Sequence, residues 1–169
     1  MRIKQRLDDF RVRELLADGI LQPSGEHRVY RVTKRKLTSL EAARELAAVA
    51  GVPAGEVALA GLKDRQGVTI QFMSIRRGRE VNLRALDLTV ESVGYADAAL
   101  ESRHSLGNAF EITLRGSEHD LLLYVLEGLA AEGYLIDLAP TGVDELRMIA
   151  RASAAGGAWG RETASAGGA

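Results

Sequence analysis

The spacing of apolar residues changes near residue 37, and this change limits the fold more than any other feature of the sequence. Before it, residues 2–15 and the basic stretch RVYRVTKRK at 28–36 alternate as extended chain does, which predicts strands. After it, Thr38 and Glu41 fit a helical capping box, and Gly51 fits a helix end. The chain therefore combines strands with a helix.

Further short apolar or alternating stretches follow this helix. They predict strands at 57–59, 67–76, 86–96 and 108–116, with a basic connection at 76–84. Residues 119–132 have the apolar period of a helix, begin with acidic residues and end at Gly133. The order strands, helix, strands, helix predicts an α+β fold with a mixed, largely antiparallel sheet and flanking helices.

The composition excludes several classes of protein. With 169 residues, 46% of them hydrophobic and 27% charged, the chain has the size and make-up of one globular domain. It has no cysteine, which excludes disulfide scaffolds, zinc–cysteine sites and thiol nucleophiles. The sequence opens without a signal peptide, and no apolar run approaches the roughly 18 residues that span a bilayer, so we expect a cytoplasmic protein.

The net charge of −1 conceals an uneven distribution of charged residues. Residues 1–84 contain 17 Lys/Arg and 10 Asp/Glu, whereas residues 85–169 contain 5 Lys/Arg and 13 Asp/Glu. A basic half is a candidate surface for a polyanion, because phosphate neutralisation contributes much of nucleic-acid affinity. The alternative is that the two halves pair with each other.

The sequence GLKDRQG at 61–67 is the first candidate for a functional site. Residues 64–67 fit a type I turn, which needs no function to explain it. The functional interpretation is that Lys63 and Arg65 favour the ionised carboxylate of Asp64. A carboxylate held in this form can act as a nucleophile or an acceptor.

The strand that follows this turn has two chemically different faces. Its two-residue period places Thr69 and Gln71 on one face, close to Asp64, where they supply donors and acceptors. The other face carries Val68, Ile70 and Phe72 and is an apolar face that is free to be buried.

The sequence GNAF at 107–110 is the second candidate. It is an ordinary turn entry followed by a core phenylalanine, or it pairs an amide, Asn108, that binds a base edge with a ring, Phe110, that stacks on the base. Lys4, six residues before Phe10, is a third candidate, although a lone lysine is usually solvated.

Four motifs occur in order over residues 3–115. IKQRLDDFRVREL contains a lysine followed by a segment similar to Pro-Glu-Asp-Phe, and GEHRVYRVTKRKLTSLEAARELA follows the pattern Gly-Glu-His…Lys…Thr. AGLKDRQGVTIQ matches Ala-Gly-x-Lys-Asp-(Lys/Arg)-x-x-x-Thr-x-Gln, and GNAF matches Gly-Asn-x-Phe. In this combination the motifs resemble the TruD family of tRNA pseudouridine synthases.

The resemblance implies the first half of a catalytic domain that isomerises uridine to pseudouridine in tRNA, usually at uridine 13, without metal or organic cofactor. It implies that Asp64 is the nucleophile, that Phe110 stacks on the target uracil and that Asn108 holds the flipped nucleotide. Lys4 matches a family lysine near the catalytic carboxylate. The other residues of these motifs that we expect at the substrate are Phe10, Lys63, Arg65, Thr69 and Gln71.

The chain also departs from the family pattern. Leu7 replaces the proline of the first motif, and the Asn-Tyr-Phe…Gln-Arg-Phe-Gly signature expected after residues 119–132 is missing. We therefore expect residues 1–134 to be a partial catalytic domain and residues 135–169 to be an Ala/Gly-rich, divergent and poorly ordered tail of an incomplete copy. A non-catalytic tRNA-binding or RNA-binding fragment and an inactive gene remnant are the alternatives.

Overall fold

The computed structural model describes residues 6–63, 65–115, 134–142 and 145–152, which contain nine strands of one sheet and one α-helix. The strands are β1 (Phe10–Leu16), β2 (His27–Arg35), β3 (Val57–Leu59), β4 (Val68–Arg76), β5 (Asn82–Arg84), β6 (Leu88–Ala96), β7 (Ser105–Arg115), β8 (Tyr134–Gly142) and β9 (Glu145–Ala152). The helix α1 is Ser39–Ala50, and short 3-10 helices lie at Leu7–Asp9, Ala54–Glu56 and Ser102–His104.

The sheet is mixed and largely antiparallel, as the sequence predicted. Its order is β5-β6-β2-β4-β1-β7-β9-β8, and β3 pairs with β4 beside this path. Strands β1 and β4 run parallel through residues 11–13 and 68–70, and the other pairs are antiparallel. A parallel pair needs a long crossover, and here the segment between β1 and β4 supplies it with β2, α1 and β3.

The capping signals of α1 act as the sequence predicted. The hydroxyl of Thr38 accepts a hydrogen bond from the Glu41 N–H at 3.1 Å, and the Glu41 carboxylate accepts one from the Thr38 N–H at 2.7 Å. Gly51 follows the last helical residue with φ of 73°, a left-handed conformation that glycine adopts without strain. These bonds satisfy backbone groups that a helix end otherwise leaves without partners.

One face of the sheet carries the main core, which we call the helix-covered core. Helix α1 packs its apolar stripe there against β2, β4 and β6. The buried residues of this cluster are Tyr30, Val32, Ala42, Ala43, Leu46, Ala47, Ala50, Val57, Met73, Ile75, Val81, Leu88 and Val90. Each large side chain here contributes about 1.5–3 kcal/mol by leaving water. A smaller cluster contains Val29, Ala96 and Leu100, with Leu16, Ile20, Phe72 and Val93 packed against it.

The face of β4 that carries Thr69 and Gln71 is more buried than expected. Thr69 and Gln71 are 2% and 0% exposed; on the other face Val68 is buried at 5%, whereas Ile70 and Phe72 are only partly buried. The reason is that α1 covers the face that also carries Met73, and buried polar side chains are acceptable when they find partners. Polarity along a single strand therefore did not identify its buried face.

The segment from residue 134 differs in part from the expected tail. Residues 134–142 and 145–152 pair with each other and extend the sheet from β7. Backbone hydrogen bonding places these segments in the sheet despite the small residues beyond them. The predicted helix at 119–132 and the predicted disorder of 153–169 lie outside the described residues. No helix in the described part of the chain is long and apolar enough to cross a membrane.

Candidate active site

The site begins where β4 exchanges one neighbouring strand for another. Strand β1 pairs with residues 68–70 of β4, and β3 pairs with residues 73–75. Between them, the N–H of Phe72 donates to the carboxylate of Glu14, with 2.9 Å between nitrogen and Oε2. We call this point, residues 70–73 of β4 with Glu14, the fork. A side chain thus replaces the missing strand as the hydrogen-bond partner of β4.

The same carboxylate forms a buried ion pair. Oε1 of Glu14 lies 2.9 Å from Nζ of Lys63, and the two side chains are 0% and 10% exposed. A buried carboxylate is tolerated when a cation and hydrogen-bond donors compensate its lost hydration, and Glu14 has both. Lys63 is the residue immediately before position 64, so the fork is tied to the first candidate site.

The main chain of Lys63 is held by a second group of contacts. Its N–H donates to the hydroxyl of Ser39 at 2.7 Å, and that hydroxyl donates to Oε1 of Gln71 at 2.8 Å. Ser39 is the first residue of α1 and Gln71 lies in β4. Lys63 is therefore fixed through its side chain to β1 and through its backbone to α1 and β4.

Arg65, on the other side of position 64, is anchored nearer the surface. Its Nε donates to the carbonyl of Lys36 at 2.9 Å, and its guanidinium lies 3.9 Å from the Glu41 carboxylate. Lys36 has φ of 54°, an uncommon conformation for a residue with a side chain. Lys63 and Arg65 each face a carboxylate other than Asp64. Asp64 itself and Lys4 lie outside the described residues.

Gly67 brings the end of this turn against β1. Its φ is 124°, and a Cβ atom there would lie 2.6 Å from the carbonyl oxygen of Phe10 and 2.8 Å from its ring. No side chain fits such an approach without moving the backbone of β1. Residues 65–67 and Phe10 therefore form one surface.

Two predicted aromatic residues meet beside this surface. The rings of Phe10 and Phe110 are in contact, with centroids 6.2 Å apart and planes inclined by 42°. Asn108 lies opposite Glu14 in the pairing of β7 with β1. Its Oδ1 is buried and has no hydrogen-bond partner within the described part of the chain. The strand β7 thus adds a ring and an unsatisfied acceptor to the region of the fork.

A cavity of about 620 Å³ opens beside Phe10 and residues 65–67, and we call it the basic hollow. It is lined by Arg6, Leu7, Phe10, Lys36, Arg65, Gln66 and Gly67. Cations next to an aromatic ring suit a nucleic-acid strand, because cations attract phosphates and rings stack on bases. Within the described residues, no group of three or more His, Cys, Asp or Glu side chains could hold a metal ion.

A second cavity, of about 360 Å³, has Phe110 in its wall and shares no lining residue with the basic hollow. Its wall includes Arg11 and Arg13, whose side chains are exposed on β1 while the alternate residues Val12 and Glu14 are buried. By the alternation of a strand, these arginines point away from the fork. We therefore place the candidate site at the basic hollow.

Carboxylates around the site have pKa values that their neighbours depress. The hydrogen bond from the backbone of Thr38 is the main cause of the lowered pKa of Glu41. The hydrogen bond from Arg35 is the main cause of the lowered pKa of Asp8, to which Arg11 also contributes. These acids are therefore charged at neutral pH and partly neutralise the basic surface.

The structure brings together several of the residues predicted from sequence but separates others. Phe10 and Arg65 line the hollow, and the ring of Phe110 contacts that of Phe10. Lys63 contacts Glu14 of the fork, and Asn108 lies opposite Glu14 in the pairing of β1 with β7. Thr69 and Gln71 are buried and do not line the hollow. Gln71 accepts a hydrogen bond from the Ser39 hydroxyl, which in turn accepts one from the Lys63 N–H.

Sequence analysis missed four residues of the site. Glu14 could have been found, because it shares the two-residue period of Val12 and therefore lies on the buried face of β1. An acid at such a position implies a buried partner. Ser39, Lys36 and Arg6 had no comparable signal, since their roles depend on the path of the chain between strands.

Comparison with known proteins gives a consistent result. The family model described as tRNA pseudouridine synthase D (TruD) matches residues 1–133. The chain is 31% identical over 122 residues to tRNA pseudouridine synthase D of Aquifex aeolicus, which covers 69% of this chain and 31% of the relative. It is 37% identical over 143 residues to tRNA pseudouridine synthase D of Pseudomonas entomophila, which covers 78% of this chain and 39% of the relative.

A solved structure supports the fold. The crystal structure named as a tRNA pseudouridine synthase D (TruD) from Methanosarcina mazei matches with a TM-score of 0.67 at 23% identity. The match covers 82% of this chain and 34% of the other. The chain thus spans about a third of the length of the relatives it matches.

Proposed function

The chain belongs to the TruD family of tRNA pseudouridine synthases, and on that premise we propose that its basic hollow isomerises a uridine of tRNA to pseudouridine. The observation that carries this proposal is the convergence of three separate motifs. Phe10 from the first motif contacts both Gly67 of the third motif and the ring of Phe110 from the fourth motif. Unrelated turn and core functions would not require these motifs to share one surface.

In this proposal Asp64 is the nucleophile. The Asp64 carboxylate attacks C1′ of ribose and displaces N1 of uracil, and the rotated uracil then attacks C1′ through C5 and displaces the carboxylate. C5 gives up its proton and N1 gains one, so the product is an isomer of the substrate. Uracil is the leaving group and also the attacking group, so the reaction needs no oxidant, reductant or organic cofactor. A covalent intermediate divides such an exchange into two easier steps. The anchoring of Lys63 and Arg65 supports a fixed position for the intervening carboxylate.

The target base requires a binding site outside the RNA stack. Extruding a base costs a few kcal/mol, and stacking on an aromatic ring offsets about 1–3 kcal/mol of it. We assign the stacking to Phe110, with Phe10 beside it. Asn108 supports this assignment, because uracil carries an N–H at position 3 and the buried Oδ1 of Asn108 is an acceptor.

The RNA backbone requires cations at the edge of the same site. Arg6, Lys36 and Arg65 line the hollow and supply the cations. Lys4, close in sequence to Arg6, joins this group in our proposal as a cation near the catalytic carboxylate. We propose tRNA as the partner, uridine 13 as the target and the cytoplasm as the location.

The direct test is formation of pseudouridine in unmodified tRNA by the chain and by Asp64→Asn. We expect the substitution to abolish turnover while binding of tRNA remains and weakens steeply with salt. Asp18→Asn provides a matched control, because Asp18 is an exposed acid in the loop after β1. It should leave turnover unchanged.

Two outcomes would contradict this proposal, one its nucleophile and the other its catalytic activity. Turnover by Asp64→Asn equal to that of the unchanged chain would exclude the nucleophile. Salt-sensitive tRNA binding without any turnover by the unchanged chain would instead favour a non-catalytic RNA-binding function. The cations of the hollow could still support that function.

A further inference from the structure

We infer that Glu14 is a positioning residue that sets the place of the residue-64 turn through Lys63. The catalytic part of this inference rests on the proposed function, whereas its structural part does not. Glu14 does not line the hollow. It acts on position 64 through the ion pair of its carboxylate with the residue before it.

The fork requires two acceptors pointing in different directions. One must receive the N–H of Phe72, which no strand reaches, and the other must face the ammonium group of Lys63. A carboxylate offers an acceptor oxygen to each donor at once. Glutamine at this position could accept from Phe72 but would offer Lys63 no negative charge.

The ion pair restrains a residue that is already bonded through its backbone. The N–H of Lys63 is held by Ser39, whose hydroxyl is held in turn by Gln71. Two anchors on one residue define both its position and its orientation. If Glu14 were neutral, the ammonium group of Lys63 would lie almost buried without a carboxylate and would move toward water. That movement would strain the hydrogen bond from the Lys63 N–H to Ser39 and would displace the residue-64 turn.

Stability alone does not account for charged groups at this position. Buried ion pairs can often be replaced by apolar side chains of similar volume without loss of stability. Met73 belongs both to the helix-covered core and to the fork, so apolar side chains in place of the ion pair could pack against that core. Here one carboxylate oxygen accepts a directional hydrogen bond from the Phe72 N–H, and the other faces the Lys63 ammonium group in an ion pair. Such a carboxylate fixes a loop more specifically than an apolar contact does.

The experiment measures amide hydrogen exchange and tRNA turnover for Glu14→Gln. We expect exchange in residues 60–67 to become faster by about tenfold or more, while exchange in β2 and β6 changes little. Turnover at saturating tRNA should fall by roughly 10–100-fold, because small displacements of a reacting group have effects of this size. The KM for tRNA should stay within about twofold, since the hollow keeps its cations.

Glu91→Gln is the matched control. Glu91 forms an ion pair with Arg31 between β6 and β2, and its side chain is 35% exposed. The substitution is chemically the same as Glu14→Gln but lies away from the fork. Exchange at 60–67 and turnover should both remain at the values of the unchanged chain.

A second variant is used if Glu14→Gln does not fold. Glu14→Gln with Lys63→Gln removes both charges, avoids the lone cation and should show the same local effects. Unchanged exchange at 60–67 in a folded variant would overturn the inference, as would faster exchange with full turnover. Global unfolding of both variants would also overturn it, because the pair would then hold the whole fold. If the unchanged chain is inactive, the proposed function fails while the exchange measurement still decides the structural part.

Discussion

The helix-covered core and the fork lie on the same strand, β4, but are stabilised in different ways. In the core, apolar side chains such as Leu46 and Met73 pack against one another and need no particular direction. At the fork, Glu14, Lys63 and Gln71 are almost as buried but depend on polar partners. These are the ion pair of Glu14 with Lys63 at 2.9 Å and the hydrogen bond from Ser39 to Gln71 at 2.8 Å. Burial alone therefore does not distinguish a region that stabilises the fold from one that places a reacting group.

This difference has an energetic consequence. A substitution that removes atoms from a packed core lowers the free energy of unfolding in proportion to the atoms removed, because the neighbouring side chains relax only partly. A buried polar network instead loses most when one partner is removed and the other remains. The two regions should therefore respond differently to single and paired substitutions.

Breaking the ion pair should have the largest effect. Lys63→Met leaves the Glu14 carboxylate buried without a cation, so the free energy of unfolding should fall by about 3–5 kcal/mol. Chemical denaturation measures this loss. Glu14→Gln combined with Lys63→Met should recover most of it, because no buried charge then remains. Additive losses in the double variant would show that the two side chains act independently.

A cavity in the helix-covered core should be the next largest effect. Leu46→Ala removes a fully buried side chain of α1 and should cost about 2–5 kcal/mol in the free energy of unfolding. In contrast to the fork variants, it should leave tRNA turnover unchanged at temperatures where the protein is folded. Leu40→Ala, on the same helix with Leu40 52% exposed, should change stability by less than about 0.5 kcal/mol. Lost turnover in folded Leu46→Ala would contradict the separation of the two regions.

Glycine substitution should give a smaller effect that reports on the turn. Gly67→Ala forces a Cβ atom against Phe10 at a positive φ. The substitution should lower the free energy of unfolding by about 1–3 kcal/mol. Because the turn must shift, turnover should decrease as well. Gly55→Ala is the control, since nothing lies within 4 Å of its added Cβ atom. Equal melting temperatures for the two variants would argue against a close approach at Gly67.

The acid dependence of the α1 cap should be the smallest effect. The pKa of Glu41 is lowered by folding, so its contribution is present above its ordinary value of 4.5 and is lost as the pH falls through the lowered value. Glu41→Gln removes this titration. The stability difference between the two proteins should therefore shrink as denaturation is measured at decreasing pH below about 4.5. A difference that stays constant down to pH 3 would show that the cap does not respond to this charge.

Much of the fold was predictable because local signals agree with the tertiary structure. The capping residues Thr38 and Glu41 and the glycine at 51 defined α1, and the short strand at 57–59 was found at its observed bounds. The burial of Thr69 and Gln71 in β4 was not predicted. Its polarity resembles a solvent face, while its burial is decided by α1, which is distant in sequence.

The candidate site was only partly predictable for a related reason. The motifs indicated Phe10 and Phe110, and the structure brings their rings into contact. They could not indicate that Lys63 faces Glu14, because this contact joins residues far apart in the chain at the point where β1 leaves β4. The role of Asp64 as nucleophile and that of Lys4 as a cation near it stay predictions.

The most direct test of the account is where the target nucleotide contacts the protein. A tRNA carrying 4-thiouridine at position 13 can be photo-crosslinked to the chain and the modified peptide identified by mass spectrometry. The account predicts adducts within residues 61–67 at the basic hollow, or within residues 105–110 beside it, where Phe110 contacts Phe10. Adducts confined to the opposite edge of the sheet, in β5 and β6, would contradict it.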